Sequence, residues 1–322
     1  MIVTVTLNAA LDRTLSVPNF QRGHRHRASQ GLTLAGGKGI NVARALKRLG
    51  IPVVATGLAG GRTGTRIIEE LTAEAILNDF VRIADESRMS TAVVDPTTNT
   101  HTEILEWGPQ VEPAEIEMLL DKLHYLSRGA EMVIFAGSLP RGVEANFYGE
   151  AIRDLNRRGV QTALDSEGEP LRLGLEAEPF LVSPNEREAE AIAGQEFHDD
   201  DDFLAALDEF ADIGARNVLI TYDEGCFGLL REKRGPARRY KVHAPQVEAV
   251  SEVGAGDAFL AGLVGGWLEG GKPEDWLRKA VATGTASTLQ VGAGVFEPRD
   301  AGRLVAQVQV EERLPASAGS AP

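Results

Sequence analysis

At 322 residues, with 43% apolar and 25% charged side chains, the chain has ordinary globular composition and length for a substantial core, as one large α/β domain or two smaller ones. A formal net charge of -14 argues against a nucleic-acid surface, although a few basic residues converging locally would still hold a small phosphorylated substrate. A single cysteine, Cys226, excludes an internal disulfide framework and fits a buried, inert thiol in a reducing compartment, and no apolar run is long enough to span a membrane.

Residues 1–7 read as a β-strand rather than a signal peptide, because no basic region precedes an apolar core and cleavage site. A cytoplasmic protein is the expectation. Residues 11–33 then alternate like strands, with turns but no helix, and residues 90–107 do the same; both read as a β insertion, either a lid or a plain extension of the sheet. Short apolar runs at residues 53–57, 132–137, 160–165 and 218–221 look like buried parallel strands. Amphipathic stretches at residues 40–49, 113–126, 146–156 and 201–213 separate them as helices. This alternation predicts an α/β fold with a mostly parallel sheet covered on both faces and ligands beyond the carboxyl ends of its strands. The last residues, 314–322, rich in Ala, Ser, Gly and Pro, read as a disordered tail.

Chemistry concentrates in three places. Gly36-Gly37-Lys38-Gly39-Ile40-Asn41 precedes a helical pattern: its amides and Lys38 suit a phosphate, and Asn41 can grip a hydroxyl. It is also compatible with a simple glycine-rich turn. Gly39 follows the lysine where a Walker A loop needs Ser or Thr, and no dinucleotide fingerprint is present. Asn185 and Glu188, where a strand gives way to a helix, offer oxygen ligands for Mg²⁺ or, equally, a helix cap with an acidic first turn. In Val253-Gly254-Ala255-Gly256-Asp257, small residues let amides approach an anion at a helix start, with Asp257 a candidate general base or a helix cap. Asp12 follows the first strand, where it can accept from sugar hydroxyls, and Arg27 and Arg88 sit in or beside the inserted segments. His24 and His26 read as loop residues, and Asp199 to Asp202 as a solvated loop ending at a helix cap.

Taken together, Gly36-Gly37-Lys38-Gly39-Ile40-Asn41-Val42-Ala43, Gly137-Ser138-Leu139-Pro140, Pro184-Asn185 with Glu188, and Gly254-Ala255-Gly256-Asp257 resemble the PfkB (ribokinase-like) carbohydrate kinase family. They stand in family order from Thr6 to about Gly294. Thr6-Leu7-Asn8-Ala9-Ala10-Leu11-Asp12 and the lysine of the glycine cluster narrow the likeness to the 1-phosphofructokinase and tagatose-6-phosphate kinase branch. The resemblance implies a three-layer α/β/α kinase domain over residues 1–313 with a small β lid. It implies ATP-dependent phosphorylation of a ketohexose phosphate, fructose 1-phosphate first, with tagatose 6-phosphate or fructose 6-phosphate as alternatives; a non-catalytic sugar-phosphate sensor on the same fold is a different class. By this similarity Asp257 is the base, and Gly254, Ala255 and Gly256 cradle the transferring group. Lys38, Arg27 and Arg88 hold the substrate's phosphate, while Asp12, Gly37, Asn41 and Glu103 orient its hydroxyls. Asn185 and Glu188 organise Mg²⁺ through water, Thr221 and Gly225 line the nucleotide site, and a homodimer forms through the lid. The chain departs from the family pattern at Ala9, Glu167 and Glu252, and its Tyr222-Asp223-Glu224-Gly225 element is short.

Overall fold

In the computed structural model, residues 1–98, 100–232 and 235–314 are described; the expected tail falls almost wholly outside them. The first strand, β1 (Ile2–Thr6), is buried along its whole length, and its side chains alternate between two apolar clusters, Ile2 on one face and Val3 and Val5 on the other. The chain then leaves the sheet for a hairpin of β2 (Ala10–Ser16) and β3 (Gln30–Gly36) and returns through α1 (Lys38–Arg48) to β4 (Val53–Gly60). After α2 (Gly61–Ala73) and β5 (Leu77–Ile83), a second excursion forms β6 (Arg88–Asp95) and β7 (Thr100–Leu105). The two excursions make one four-stranded sheet in the order β3-β2-β6-β7, in which β2 and β6 run parallel and the outer pairs antiparallel.

Beyond the excursions strands and helices alternate: α3 (Pro113–Ser127), β8 (Met132–Ala136), α4 (Phe147–Arg157), β9 (Gln161–Asp165), α5 (Gly168–Leu175) and β10 (Leu181–Val182). Next come α6 (Glu186–Ala193), α7 (Asp200–Ile213), β11 (Val218–Tyr222), β12 (Gly225–Arg231), β13 (Ala237–His243), α8 (Ala255–Glu269), α9 (Pro273–Ser287), α10 (Pro298–Val305) and β14 (Gln309–Arg313). The main sheet has the order β14-β13-β12-β11-β10-β9-β8-β1-β4-β5. One apolar cluster carries residues of α1, α2, α8, α9 and α10, the other residues of α3 to α7, giving helices, sheet and helices in three layers.

The sheet is parallel from β11 to β5, but β12, β13 and β14 run antiparallel, an extension the strand–helix alternation did not foretell. Its cause is local. Tyr222 pairs with Gly225, leaving a two-residue connection too short for a parallel crossover. Because β1 lies between β8 and β4, the chain switches direction there, and the carboxyl ends of β1, β8, β9, β10 and β11 open onto one edge. Among the described residues no helix is long and apolar enough to cross a membrane.

Candidate active site

A cleft of about 960 Å3 runs along that carboxyl edge, between the start of α8 and the four-stranded lid. At its floor Gly254, at φ 80°, is the N-cap of α8, so Asp257 falls in the first turn of the helix, where it is buried. Its Oδ2 accepts from Nδ2 of Asn41 on α1 at 2.9 Å. Burial first, and the Asp165 carboxylate second, push Asp257 up to about 7, against the opposing pull of Lys38 and Asn41. The cap reading of Asp257 is not realised: Gly254 is the N-cap, no side chain caps this helix, and the carboxylate is engaged with Asn41 instead. The amide cradle is narrower than expected: the Ala255 amide donates to the Glu252 carbonyl at 3.1 Å, while no acceptor for the Gly254 and Gly256 amides exists among the described residues.

Lys38, the first residue of α1, reaches across to the ends of β9 and α6. Its Nζ donates to Asp165 Oδ1 at 2.8 Å and to Glu188 Oε1 at 3.1 Å. Burial would lower the ammonium, but these two carboxylates outweigh it and hold Lys38 well above its ordinary value. Asn185 is the N-cap of α6: its side chain accepts from the Glu188 amide at 2.9 Å while Glu188 Oε2 accepts from the Asn185 amide at 2.9 Å. The cap reading of this pair is realised, and Glu188 in addition ties α6 to Lys38.

The lid supplies the opposite wall. Register places Asp12, Ser90 and Leu105 in one row across β2, β6 and β7, and Thr14, Ala92 and Glu103 in the next; all six line the cleft. Burial raises Asp12, partly offset by Arg88, and burial lowers Arg88, whose Nε donates to the Asn8 carbonyl at 3.2 Å. Gly37, Thr221 and Gly225 also reach the cleft. Gly225 answers to the sheet as well, since a Cβ there would lie 1.9 Å from the Val242 carbonyl oxygen. Arg27 is not brought in: it is exposed on the segment joining β2 to β3 and does not line the cleft, because a hairpin tip carries its side chains into solvent. His24 and His26 occupy the same exposed or half-exposed tip, and Asp199 caps α7.

Asp165 was missed as a site residue. An acid ending a buried apolar strand at the carboxyl edge was its signal. The cleft lining holds seven acidic and three basic side chains, so an anionic nucleotide needs positive charge brought with it. Among the described residues no group of three His, Cys, Asp or Glu could hold a metal directly. Oxygen donors at Asn185 and Glu188, facing the cleft but engaged in their cap, fit a Mg²⁺ bound mainly by phosphates and water.

The model of the pfkB family carbohydrate kinases matches residues 4–300. The chain belongs to the PfkB carbohydrate kinase family. It is 31% identical over 313 residues to 1-phosphofructokinase of Borreliella burgdorferi, covering 97% of this chain and 99% of the relative. To tagatose-6-phosphate kinase of Staphylococcus epidermidis it is 31% identical over 317 residues, 97% of this chain and all of the relative. The crystal structure of phosphofructokinase-2 from Escherichia coli with substrates and products superposes with a TM-score of 0.88 at 28% identity, over 95% of this chain and 98% of that one. This PfkB kinase is therefore an enzyme that transfers a phosphoryl group to an alcohol group and acts on a sugar phosphate. Kinases of the family take that group from ATP.

Proposed function

We propose that this kinase works in the cytoplasm, transferring the γ-phosphoryl group of ATP to fructose 1-phosphate to give fructose 1,6-bisphosphate and ADP, with Asp257 as general base. The observation that carries the reading is the buried Asp257 carboxylate, held by Asn41 beside unpartnered amides at a helix start. A base raised to about 7 is substantially ionised at neutral pH yet keeps a strong pull on a proton. Asp257 takes the proton from the attacking hydroxyl. The hydroxyl oxygen of the sugar bonds to the γ-phosphorus as the bond to the β-bridging oxygen breaks, and the proton leaves Asp257 for solvent with the products.

The amides of Gly254 and Gly256, at the positive end of α8, stabilise charge on the group in flight. Lys38 stands within electrostatic reach of Asp257, which favours a role on the transferring group over the substrate's existing phosphate. That phosphate then falls to Arg88, and Asp12, Gly37, Asn41 and Glu103 orient the sugar hydroxyls. Thr221 and Gly225 line the nucleotide side. Asn185 and Glu188 hold waters of a Mg²⁺ ion, which when bound masks polyphosphate charge in an acid-rich cleft. Exposed apolar side chains on the lid support a homodimer formed through it.

A coupled assay with fructose 1-phosphate, tagatose 6-phosphate and fructose 6-phosphate tests the substrate. The first should give the highest kcat/KM, and no turnover of it beside good turnover of another would sink the claim. Tagatose 6-phosphate is the second reading, favoured by the 31% identical kinase of Staphylococcus epidermidis. Asp257→Asn should lower kcat by about 10²- to 10⁴-fold. Unchanged turnover in that variant would remove the base, and tight sugar-phosphate binding by the wild type with no turnover of any of the three would make the protein a sensor.

A further inference from the structure

Arg44 lies one helical turn beyond Asn41 on α1, is 2% exposed and does not line the cleft. Each of its five N–H donors nevertheless has an acceptor. Nε and one Nη2 hydrogen go to the two oxygens of Glu74, at 2.5 and 2.7 Å, at the end of α2. The second Nη2 hydrogen reaches the Ala35 carbonyl at 2.6 Å, and Nη1 donates both to the Ala293 carbonyl at 3.0 Å and to Asn41 Oδ1 at 3.1 Å. A guanidinium used this completely is fixed in orientation.

We infer that Arg44 is a positioning residue for phosphoryl transfer, acting on the base through the side-chain amide of Asn41. This rests on the reading of Asp257 as the base. An asparagine amide can turn over with almost no change of shape, and turned over it would set Oδ1 against the Asp257 carboxylate. Arg44 forbids that state, because Oδ1 must face its Nη1 and Nδ2 is thereby aimed at Asp257. The same guanidinium holds Ala293, whose Cα would lie 2.6 Å from a Cβ on Gly254, so it also backs the N-cap of α8. Besides its burial, Asp257 also faces the carboxylates of Asp165 and Asp12, which raise it, and the ammonium of Lys38, which lowers it; Arg44 fixes the remaining donor, Asn41, and the wall behind the helix turn.

The test is the pH profile of kcat/KM in Arg44→Lys, which keeps a charge opposite Glu74 but cannot serve all five acceptors. Loss of the Asn41 donor raises Asp257 further, and a base works only when ionised, so the acid limb moves to higher pH. The expected shift is about one pH unit, the size of one charge-assisted hydrogen bond, with kcat at pH 7 down roughly tenfold. Glu74→Gln is the control: it weakens the ion pair that Arg44 makes with the half-buried Glu74 and lowers Tm, yet leaves the limb in place. If the lysine variant fails to fold, Arg44→Gln reads the same limb. In Asn41→Ala the limb is already displaced, and adding Arg44→Lys should displace it no further. An acid limb unmoved in a folded Arg44 variant, moved equally by Glu74→Gln, or displaced additively in the double variant overturns the inference alone. Turnover retained by Asp257→Asn overturns the base reading, and this inference with it.

Discussion

Gly254 and Gly256 stand two positions apart at the start of α8, and the fold demands glycine at only the first of them. Gly254 takes φ 80°, and a Cβ there would sit 2.6 Å from Ala293. At Gly256 a Cβ would meet nothing within 4 Å and the backbone is helical, so no demand of the fold explains its small size. What it leaves open is the space above an unpartnered amide. Gly254→Ala should therefore destabilise the protein by about 1–3 kcal/mol, read as a lowered Tm, through strain and contact. Gly256→Ala should hold or raise Tm, since Ala favours helix, while kcat falls roughly tenfold or more as the methyl crowds the group in flight. Full activity in Gly256→Ala would remove that amide from the cradle.

At the scale of elements, α6 starts with a cap made by the same two residues proposed to hold the waters of Mg²⁺. Asn185→Ala removes the reciprocal cap with Glu188 and should cost about 1 kcal/mol. Asn185→Ser restores an N-cap acceptor, so Tm should recover while the Mg²⁺ concentration for half-maximal rate stays raised several-fold. Recovery of both in a titration of free Mg²⁺ would reduce Asn185 to a cap. The strands read as apolar runs, β1, β4, β8, β9 and β11, are buried over most of their length because helices cover both faces of the sheet, while β12, buried to a similar degree but broken by glycines, gives no such run. β10 has two residues and β13 alternates charge with apolar side chains, so neither gave a run to read. Motif residues were legible because phosphoryl chemistry restricts their types. Their partners were not, since Lys38 meets Asp165 and Glu188 from 127 and 150 residues away, and only the folded sheet brings those strand and helix ends together. Nothing in the segment around Arg27 signals which way a hairpin tip points.

For the molecule as a whole, a net charge of -14 sets copies apart, yet the lid offers them a reason to meet. β7 is an edge strand exposed at every residue, with Ile104 and Leu105 each 62% exposed and Trp107 just beyond it at 87%. An unpaired strand edge flanked by large apolar side chains is a liability unless something covers it. The covering proposed here is the lid of a second copy, and its consequence reaches the cleft, because Asp12, Ser90 and Glu103 line the cleft from strands of the same four-stranded sheet. Wild-type protein should run as a dimer in size-exclusion chromatography with light scattering. Ile104→Glu with Trp107→Glu should halve that mass without unfolding the chain, since both side chains are already exposed. Freed from its partner, the lid should hold the sugar phosphate less firmly, raising KM for that substrate several-fold while KM for ATP, set on the far wall, changes little. A monomeric wild type, or a double variant that keeps its dimer mass, would break the link between lid and assembly. Equal rises in both KM values would break the link between assembly and sugar binding.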